Sequence, residues 1–481
     1  LSQSQLDSLY NMTWQHPYLD NWEKVSAATG LTNLLHGTIP QPHQLVLLEE
    51  IYGSDLIKNI LAKRALGLKI KDYIVEAFNV PRAILATAEM SGFLRQGVVE
   101  VVAHPLISTK AMAKTFQFAF APKVFESYFK NLPKDKLFPL MRKSKLAITD
   151  PSKASMTTRE EAFISRFLQR IPGVGQIFKF AERSYVGFLS KLRVDLFKKF
   201  AEEGLTKGMS PIQNADFFRG IATMVNTFTG RGGLGKLERI TPELNTVFFS
   251  PRLVAARFNA LNPIWYARLP STVRKQAIVD FAKFVGTGLT LLGLLKVVAG
   301  DSIKVESDSR SSDFGKIKIG DTRFDIWGGF QQWSRVFSQL VTGQRKNTTT
   351  GEIISLTKDE YPFTTRKEVL LRFIESKLAP VPALINELIS GAKNFQGEDI
   401  TPEVVARERF IPLYIQDIAE TYEEGGLGTA IGAGFAGFFG VGVQTYKQKK
   451  KRVPLRSPLD LRRQMLKDTD IHELRKQIQI R

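Results

Sequence analysis

The stretch Lys316-Ile-Lys-Ile-Gly-Asp-Thr-Arg-Phe-Asp-Ile326 is the clearest departure from helical patterning in this chain. Polar and apolar residues alternate from Lys316 to Ile319 and again from Thr322 to Ile326, and Gly320-Asp321 supplies a two-residue turn between them. This pattern predicts a β-hairpin, and residues 302–306 are a candidate third strand beside it. The fold should therefore contain a small β-hairpin or three-stranded sheet near residues 302–327.

Most of the remaining sequence has the features of α-helices. Apolar residues recur at three- and four-residue spacing, as in Val369, Leu370, Phe373, Ile374 and Leu378. A Ser or Thr precedes a Pro at several predicted helix starts, where the hydroxyl caps the first turn. These starts are Ser210-Pro211, Ser250-Pro251, Thr401-Pro402 and Ser457-Pro458. The sequence thus predicts a mainly α, multi-helical and elongated protein.

Four regions are predicted along the 481 residues, because a chain of this length is too long for one small core. Residues 1–105 form an N-terminal helical region and residues 106–245 a basic helical region. Residues 246–400 form a helical core that carries the sheet insertion. Residues 401–481 combine a Gly-rich apolar helix with a basic C-terminal tail.

The chain is strongly basic, with 67 Lys and Arg against 47 Asp and Glu and a formal net charge of +20. The surplus lies mostly in residues 110–207, with 20 basic and 9 acidic residues, and in residues 447–481, with 12 and 4. Such a charge favours anionic partners, such as nucleic acid, lipid head groups or acidic proteins, without choosing among them. The chain has no cysteine, which excludes disulfides and thiolate chemistry.

The segment Gly230 to Lys236 matches the spacing of two phosphate-binding motifs, G-x-G-x-x-G and G-x-x-x-x-G-K. Both motifs require a preceding buried strand, and residues 216–226 instead have the pattern of an amphipathic helix. Leu237 also stands where a Ser or Thr would bind Mg²⁺. We therefore interpret the segment as a helix-ending turn in which Gly provides positive φ.

No catalytic, cofactor-binding or metal-binding residues are predicted, and we expect a protein that is not an enzyme. The five histidines are too widely spaced for a helical metal site, and the lack of cysteine argues against structural zinc. The adjacent carboxylates Glu49-Glu50, Glu160-Glu161 and Glu202-Glu203 point to different sides of a helix and are interpreted as solvated surface.

Two apolar segments bear on membrane contact. Residues 284–295 are uncharged but too short to span a bilayer, which predicts a buried helix. Residues 425–446 are 22 uncharged residues, a spanning length of about 33 Å as a helix. Gly428, Gly432, Ala436 and Gly440 form a small-residue stripe at four-residue spacing, as in closely packed membrane helices.

The eight glycines of this segment make it a poor isolated spanning helix, at about 1 kcal/mol each relative to Ala. Two readings stay open for the stripe, namely helix–helix packing within an assembly and conditional membrane insertion. A basic run follows, and its residues are predicted to bind the phosphates of DNA or of lipids. These residues are Lys447, Lys449, Lys450, Lys451 and Arg452.

Several strings together resemble one family, the large polyvalent protein-associated domain of tailed bacteriophages. EMSGFLRQG at residues 89–97 is similar to its DLSxxLRQG signature, with Glu89 and Met90 in place of Asp and Leu. The longest similar string is SSDFGKIKIGDTRFD at residues 311–325, followed by WGGF at residues 327–330. Further strings lie at residues 226–232, 248–252, 263–270 and 440–446.

The resemblance implies a virion protein that travels with the DNA into the host. We expect an internal (ejection) protein that assembles near the portal and tail and assists genome delivery across the host envelope. Its expected partners are other copies of itself, other virion proteins, DNA and the host membrane, and its expected location is the virion interior or the portal and tail region, then the host envelope. The alternatives are a co-delivered nucleic-acid- or protein-binding effector or scaffold, and a structural component of the portal or tail.

Overall fold

The helices form where capping residues meet an apolar stripe, as the segment after Thr365 shows. The Thr365 hydroxyl accepts a hydrogen bond from the Glu368 amide, and the Glu368 carboxylate accepts one from the Thr365 amide. The helix behind this cap, Arg366–Glu375, buries Val369 and Phe373. The structure, a computed structural model, describes residues 2–36, 40–53, 92–149, 174–356, 365–389, 399–411 and 413–445.

The first three helices share a small core of their own. They are α1 (Gln3–Trp14), α2 (Asn21–Leu35) and α3 (Pro42–Tyr52). Leu31, Leu45 and Leu48 are buried between them. The hydroxyl of Tyr52 donates to the Leu9 carbonyl at 2.7 Å, which ties α3 to α1.

The described helices between residues 92 and 240, which include the basic region, pack around one long helix. A π-helical turn at Gly92–Gln96 precedes the α-helices of this part of the chain, and 3-10 turns lie at Leu132–Lys134 and Gly235–Ile240. Its α-helices are α4 (Val98–Ala103), α5 (Pro105–Phe120), α6 (Pro122–Asn131), α7 (Phe138–Lys143), α8 (Val174–Thr206) and α9 (Ala215–Phe228). The helix predicted to begin at Pro211 is wrong, because a turn occupies residues 211–214 and α9 begins at Ala215.

The next helices lead to the sheet. They are α10 (Thr241–Val247), α11 (Pro251–Leu261), α12 (Pro263–Ala267) and α13 (Ser271–Ala299), and a 3-10 turn at Gly300–Ser302 ends the series. Helix α11 begins at Pro251 as predicted, although the Ser250 side chain makes no capping hydrogen bond.

The predicted hairpin is confirmed. Strands β2 (Ile317–Ile319) and β3 (Thr322–Asp325) pair antiparallel, with Ile319 opposite Thr322 across the Gly320-Asp321 turn. The candidate third strand is β1 (Lys304–Val305), which pairs with β2. A fourth strand, β6 (Gly442–Thr445), pairs with β3, so the sheet order is β1-β2-β3-β6.

The remaining elements lie between β3 and β6 in sequence. Helix α14 (Phe330–Thr342) is followed by a separate two-stranded sheet of β4 (Gln344–Lys346) and β5 (Ile353–Ser355). The last helices are α15 (Arg366–Glu375), α16 (Pro380–Ile389), α17 (Pro402–Phe410) and α18 (Leu413–Phe438). Thr401 caps α17 as predicted, accepting from the Val404 amide at 3.2 Å.

The prediction of a mainly α fold with a small sheet insertion is confirmed. The chain divides into two units, Leu1–Thr445 and Tyr446–Arg481, and all residues that the structure describes belong to the first. The largest core joins α4, α5, α8, α9 and α13 to the sheet through buried side chains that include Phe197, Phe228, Phe284 and Trp327.

Candidate functional site

The predicted small-residue stripe is divided between α18 and the residues that follow it. Gly428 and Gly432 are exposed on α18, and a Cβ added at either would meet nothing within 4 Å. Ala436 is half-buried, and Gly440 lies beyond the end of the helix with φ +97°. The prediction of one continuous helix over residues 425–446 is therefore wrong, because the chain leaves α18 at Phe438 and returns as β6.

The face of α18 that does contact protein is offset from the predicted stripe. Ala430, Ala433 and Gly437 are buried, and Gly434 approaches Ile418, whose Cδ1 would lie 2.7 Å from an added Cβ. The basic residues Lys447, Lys449, Lys450, Lys451 and Arg452 lie outside the described residues. Phosphate binding by these residues stays a prediction.

The strings that carry the family resemblance meet in one place, around the buried side chain of Arg257. Arg257 Nε donates to the Gly328 carbonyl at 2.9 Å, and its Nη2 donates to the Arg95 carbonyl. The guanidinium also lies 4.3 Å from the centre of the Phe330 ring. One arginine of α11 thereby joins the FLRQG turn to the WGGF string, which are more than two hundred positions apart in the chain.

The glycines in these strings permit close backbone approach. Gly328 has φ +56°, and a Cβ there would lie 2.8 Å from Val98 Cγ1 and 3.0 Å from the Arg95 carbonyl oxygen. At Gly232 an added Cβ would lie 2.3 Å from the Ala256 backbone nitrogen. The Leu94 amide donates to the Phe439 carbonyl at 3.0 Å, which brings the last string, residues 440–446, to the same place. These motif glycines are packing positions.

The Gly230–Lys236 segment lacks the setting of a phosphate-binding loop. Helix α9 precedes it, as the sequence predicts, and Gly230 and Gly235 both have positive φ, at +81° and +58°. The helix end is held by the buried Arg193, which donates to the Thr229 hydroxyl at 2.7 Å and to its carbonyl at 2.8 Å. The interpretation as a helix-ending turn is confirmed.

Helix α13 presents an unexpected apolar surface. The prediction that residues 284–295 are buried is wrong, because only Phe284 and Leu292 of this segment are buried. We use the name α13 apolar face for five exposed apolar residues in the C-terminal half of the helix. They are Leu289, Leu291, Leu294, Val297 and Val298.

The same half of α13 is attached to the core along its other side. The Trp327 ring packs on Gly288, where an added Cβ would lie 2.5 Å from it, and Phe284 contacts both Trp327 and Phe330. Among the described residues, α13 is the one helix of at least 18 residues that is apolar enough to cross a membrane, with a mean hydropathy of 1.6 and 22% of that window buried.

A second candidate site lies inside the core, where Glu100, His104 and Asp280 meet. Glu100 and Asp280 have no solvent exposure, and His104 is nearly buried. His104 Nε2 lies 3.2 Å from Asp280 Oδ2 and 3.6 Å from Glu100 Oε2. None of these three atoms, nor Glu100 Oε1, has a hydrogen-bond partner.

The position of each side chain follows from helix geometry. Glu100 and His104 are four residues apart across the end of α4, so their side chains lie on one face. Asp280 reaches them from α13, where Gln276 Nε2 donates to Asp280 Oδ1 at 2.8 Å. Burial raises the pKa of the Glu100 carboxyl well above its ordinary value, and the neighbouring Asp280 carboxylate raises it further.

Lys199 connects this cluster to the surface. Its Nζ lies 3.2 Å from His104 Nδ1, and the His104 ring makes an edge contact with Phe200. Lys199 also lines an open groove of about 640 Å³ between α5 and α8, beside Lys110 and Glu203.

Sequence reasoning missed this cluster because it compared the histidines with one another and treated carboxylates as surface. The Glu100-x-x-x-His104 spacing was a usable local signal. Asp280 could not be found, since it lies 180 positions away and reaches His104 only through the packing of α13 on α4.

Comparison of the chain with protein-family models, with curated proteins and with solved structures finds no match.

Proposed function

We propose that the chain is a non-enzymatic internal (ejection) protein of a tailed bacteriophage, which assembles near the portal and tail and helps the genome cross the host envelope. The α13 apolar face is the observation that carries this proposal, and we assign it to the envelope bilayer. The sequence strings shared with the phage domain support the class of protein. Several of these strings meet around Arg257, which supports a role for them in maintaining the fold.

The size of the α13 apolar face favours a partner. Fully burying a Leu or Val side chain contributes about 1.5–3 kcal/mol, so five largely exposed ones leave several kcal/mol available for association. Val298 is 84% exposed and Leu294 is 57% exposed. Exposed apolar groups in such a cluster are typical of membrane or protein contact.

Charge around this face favours a lipid surface. Lys283, Lys296 and Lys304 have exposed side chains before, within and after the apolar segment. Lysines at this level attract anionic head groups while their stems lie along the acyl boundary. The formal net charge of +20 acts in the same direction at longer range.

The attachment of α13 to the core determines how it would meet a bilayer. Residues 285–299 are about 22 Å long as a helix, which is less than the roughly 30 Å hydrocarbon core. Crossing would also require removing Phe284 and Gly288 from Trp327. We therefore propose that α13 lies in the interface, with its apolar face in the head-group and acyl boundary.

The class of protein is tested by mass spectrometry of purified virions of the phage that encodes the chain. We expect the chain to be present, with a copy number that matches the symmetry of the portal or tail. Absence from intact virions would contradict the ejection function.

The membrane contact is tested by flotation with vesicles of phosphatidylethanolamine and phosphatidylglycerol in a 3:1 ratio. We expect the wild type to float with the vesicles and the double variant Leu289→Glu/Leu294→Glu to lose at least about tenfold in partitioning, because charged groups are costly in the bilayer. The double variant Ile278→Glu/Val279→Glu is the matched control, since Ile278 and Val279 are also exposed on α13 but lie in its N-terminal half. Equal loss in both variants would contradict the assignment to the α13 apolar face.

A further inference from the structure

We propose that Glu100, His104 and Asp280 bind a first-row divalent metal ion of the zinc class, which would link the end of α4 to α13. This inference concerns a site separate from the α13 apolar face and does not depend on the proposed function. It rests on the identity of the three side chains, on the distances between their donor atoms and on their burial.

The donor atoms have the spacing of a coordination shell. Zinc binds a histidine nitrogen at about 2.0–2.1 Å and a carboxylate oxygen at about 2.0–2.2 Å, so neighbouring ligands of a tetrahedral site lie roughly 3.3–3.6 Å apart. His104 Nε2 lies 3.2 Å from Asp280 Oδ2 and 3.6 Å from Glu100 Oε2, and one donor atom from each residue lies within 4.8 Å of the others. Small side-chain rotations would complete the triangle.

The cluster needs positive charge that its hydrogen bonds do not supply. Two carboxyl groups without solvent exposure are placed side by side, and Glu100 Oε1, Glu100 Oε2 and Asp280 Oδ2 accept no hydrogen bond. Burying an uncompensated carboxylate costs several kcal/mol, and the cost rises when a second one lies beside it. A divalent cation bound by both carboxylates would remove this cost directly.

Neighbouring cations compensate the cluster only from its edge. Lys283 Nζ lies 4.0 Å from Asp280 Oδ1, and Lys199 Nζ lies 3.2 Å from His104 Nδ1. Both ammonium groups also favour the charged form of Glu100 and so oppose part of the rise in its pKa. Both lysines therefore leave the space between Asp280 Oδ2, Glu100 and His104 Nε2 without a cation. This is the space that the metal would occupy.

Surrounding contacts orient two of the ligands. Gln276 holds Asp280 Oδ1, which leaves Oδ2 directed towards His104. The edge contact with Phe200 fixes the His104 ring. Such outer contacts are characteristic of metal sites, where they set ligand orientation.

Lys199 would respond to metal binding. A metal on Nε2 leaves the proton of a neutral imidazole on Nδ1, and an ammonium cannot accept a hydrogen bond from that position. Lys199 would therefore turn into the groove, where Glu203 and Asp195 also lie.

The ligand set favours zinc, cobalt or manganese over calcium and magnesium. One imidazole and two carboxylates suit borderline transition metals, whereas calcium takes six to eight oxygen ligands and magnesium keeps several waters. Three protein ligands also leave a fourth position for water.

The test is isothermal titration of the full chain, treated with a chelator and dialysed, with ZnCl₂ alone. We expect one zinc ion per chain with a dissociation constant in the micromolar range or below. His104→Gln and Asp280→Asn should weaken binding by at least about 100-fold. His36→Gln, at an exposed histidine, is the control and should bind as the wild type does.

A second measurement uses only the wild type, so its result does not depend on whether the variants fold. Co²⁺ in place of zinc should give the visible absorption of a four-coordinate site with nitrogen and oxygen ligands, and excess zinc should abolish it. The proposal is wrong if the wild type binds neither ion stoichiometrically, or if correctly folded His104→Gln binds zinc as tightly as the wild type. In those cases the cluster is a proton-sharing carboxyl pair. Neither result changes the expected flotation of the vesicles.

Discussion

The two halves of α13 differ in composition and in surroundings, since residues 271–284 contain four charged residues and residues 285–299 contain only Lys296. In the N-terminal half, Val273, Ala277, Asp280 and Phe284 are buried at three- and four-residue spacing, and the exposed side includes Lys275 and Lys283. In the C-terminal half one side still packs on Trp327, but the large apolar side chains that remain exposed are Leu and Val, and Lys296 is the one charged residue there. The first half is an ordinary amphipathic helix, and the second keeps apolar residues on its exposed surface as well as in its contact with the core.

The difference shows that tertiary partners, not local hydrophobicity, decide which residues of α13 are buried. Trp327 lies in the connection between β3 and α14, Phe330 is the first residue of α14, and both contact α13 at Phe284. An apolar helix covered on one side is a surface that costs free energy in water unless it has a partner. Such a surface is the basis of the proposed membrane contact.

The largest difference between the halves should appear on truncation of apolar side chains. Phe284→Ala should lower the free energy of unfolding by about 3–5 kcal/mol, because it opens a cavity beside Trp327 and Phe330. Leu294→Ala should change it by less than about 0.5 kcal/mol, since Leu294 is mostly exposed. Urea denaturation followed by circular dichroism measures both. Comparable losses would mean that the C-terminal half is also covered.

A glycine pair five residues apart gives a smaller and opposite-signed comparison. Gly288→Ala should destabilise by about 1–3 kcal/mol, because the new Cβ would meet the Trp327 ring. Gly293→Ala should stabilise by up to about 1 kcal/mol through helix propensity, since nothing lies within 4 Å of its added Cβ. The two melting temperatures should therefore shift in opposite directions. A decrease for Gly293→Ala would indicate a contact on the exposed side.

The smallest effect extends the comparison to the Gly-rich helix α18. Gly432→Ala should stabilise by about 0.5–1 kcal/mol, because Gly432 is exposed and open space surrounds its Cα. A stripe that mediated close helix packing would instead be damaged by the added methyl group. A lower unfolding midpoint in guanidinium chloride for this variant would indicate that the stripe mediates close packing.

Local sequence predicted the hairpin well, because alternation and a two-residue turn define β2 and β3 within ten residues. The fourth strand was missed, since β6 pairs with β3 from about 120 positions away and follows a helix of small apolar residues. Gly440 has a positive φ and marks the change from helix to strand. In the sequence it looks like one more small residue of the stripe, because the residue type alone does not show the backbone angle.

The candidate sites divide in the same way. The Gly230–Lys236 turn was interpreted correctly because the preceding helix pattern is local. The α13 apolar face was missed, because a 12-residue uncharged run is typical of a buried helix and nothing local shows that only one side is covered. The Glu100–His104–Asp280 cluster depends on the contact between α4 and α13, which no pattern within either helix reveals.

The most direct test of the central claim, that α13 is anchored in the core by one side and free to meet a bilayer by the other, uses single cysteines. The chain has none of its own, so Val298→Cys and Ala282→Cys can each carry one environment-sensitive fluorophore. Both positions are exposed, one in each half of the helix. On adding vesicles with anionic lipid, we expect a blue shift and protection from aqueous quencher at position 298 and no change at position 282. No shift at position 298, or an equal shift at both positions, would contradict the claim.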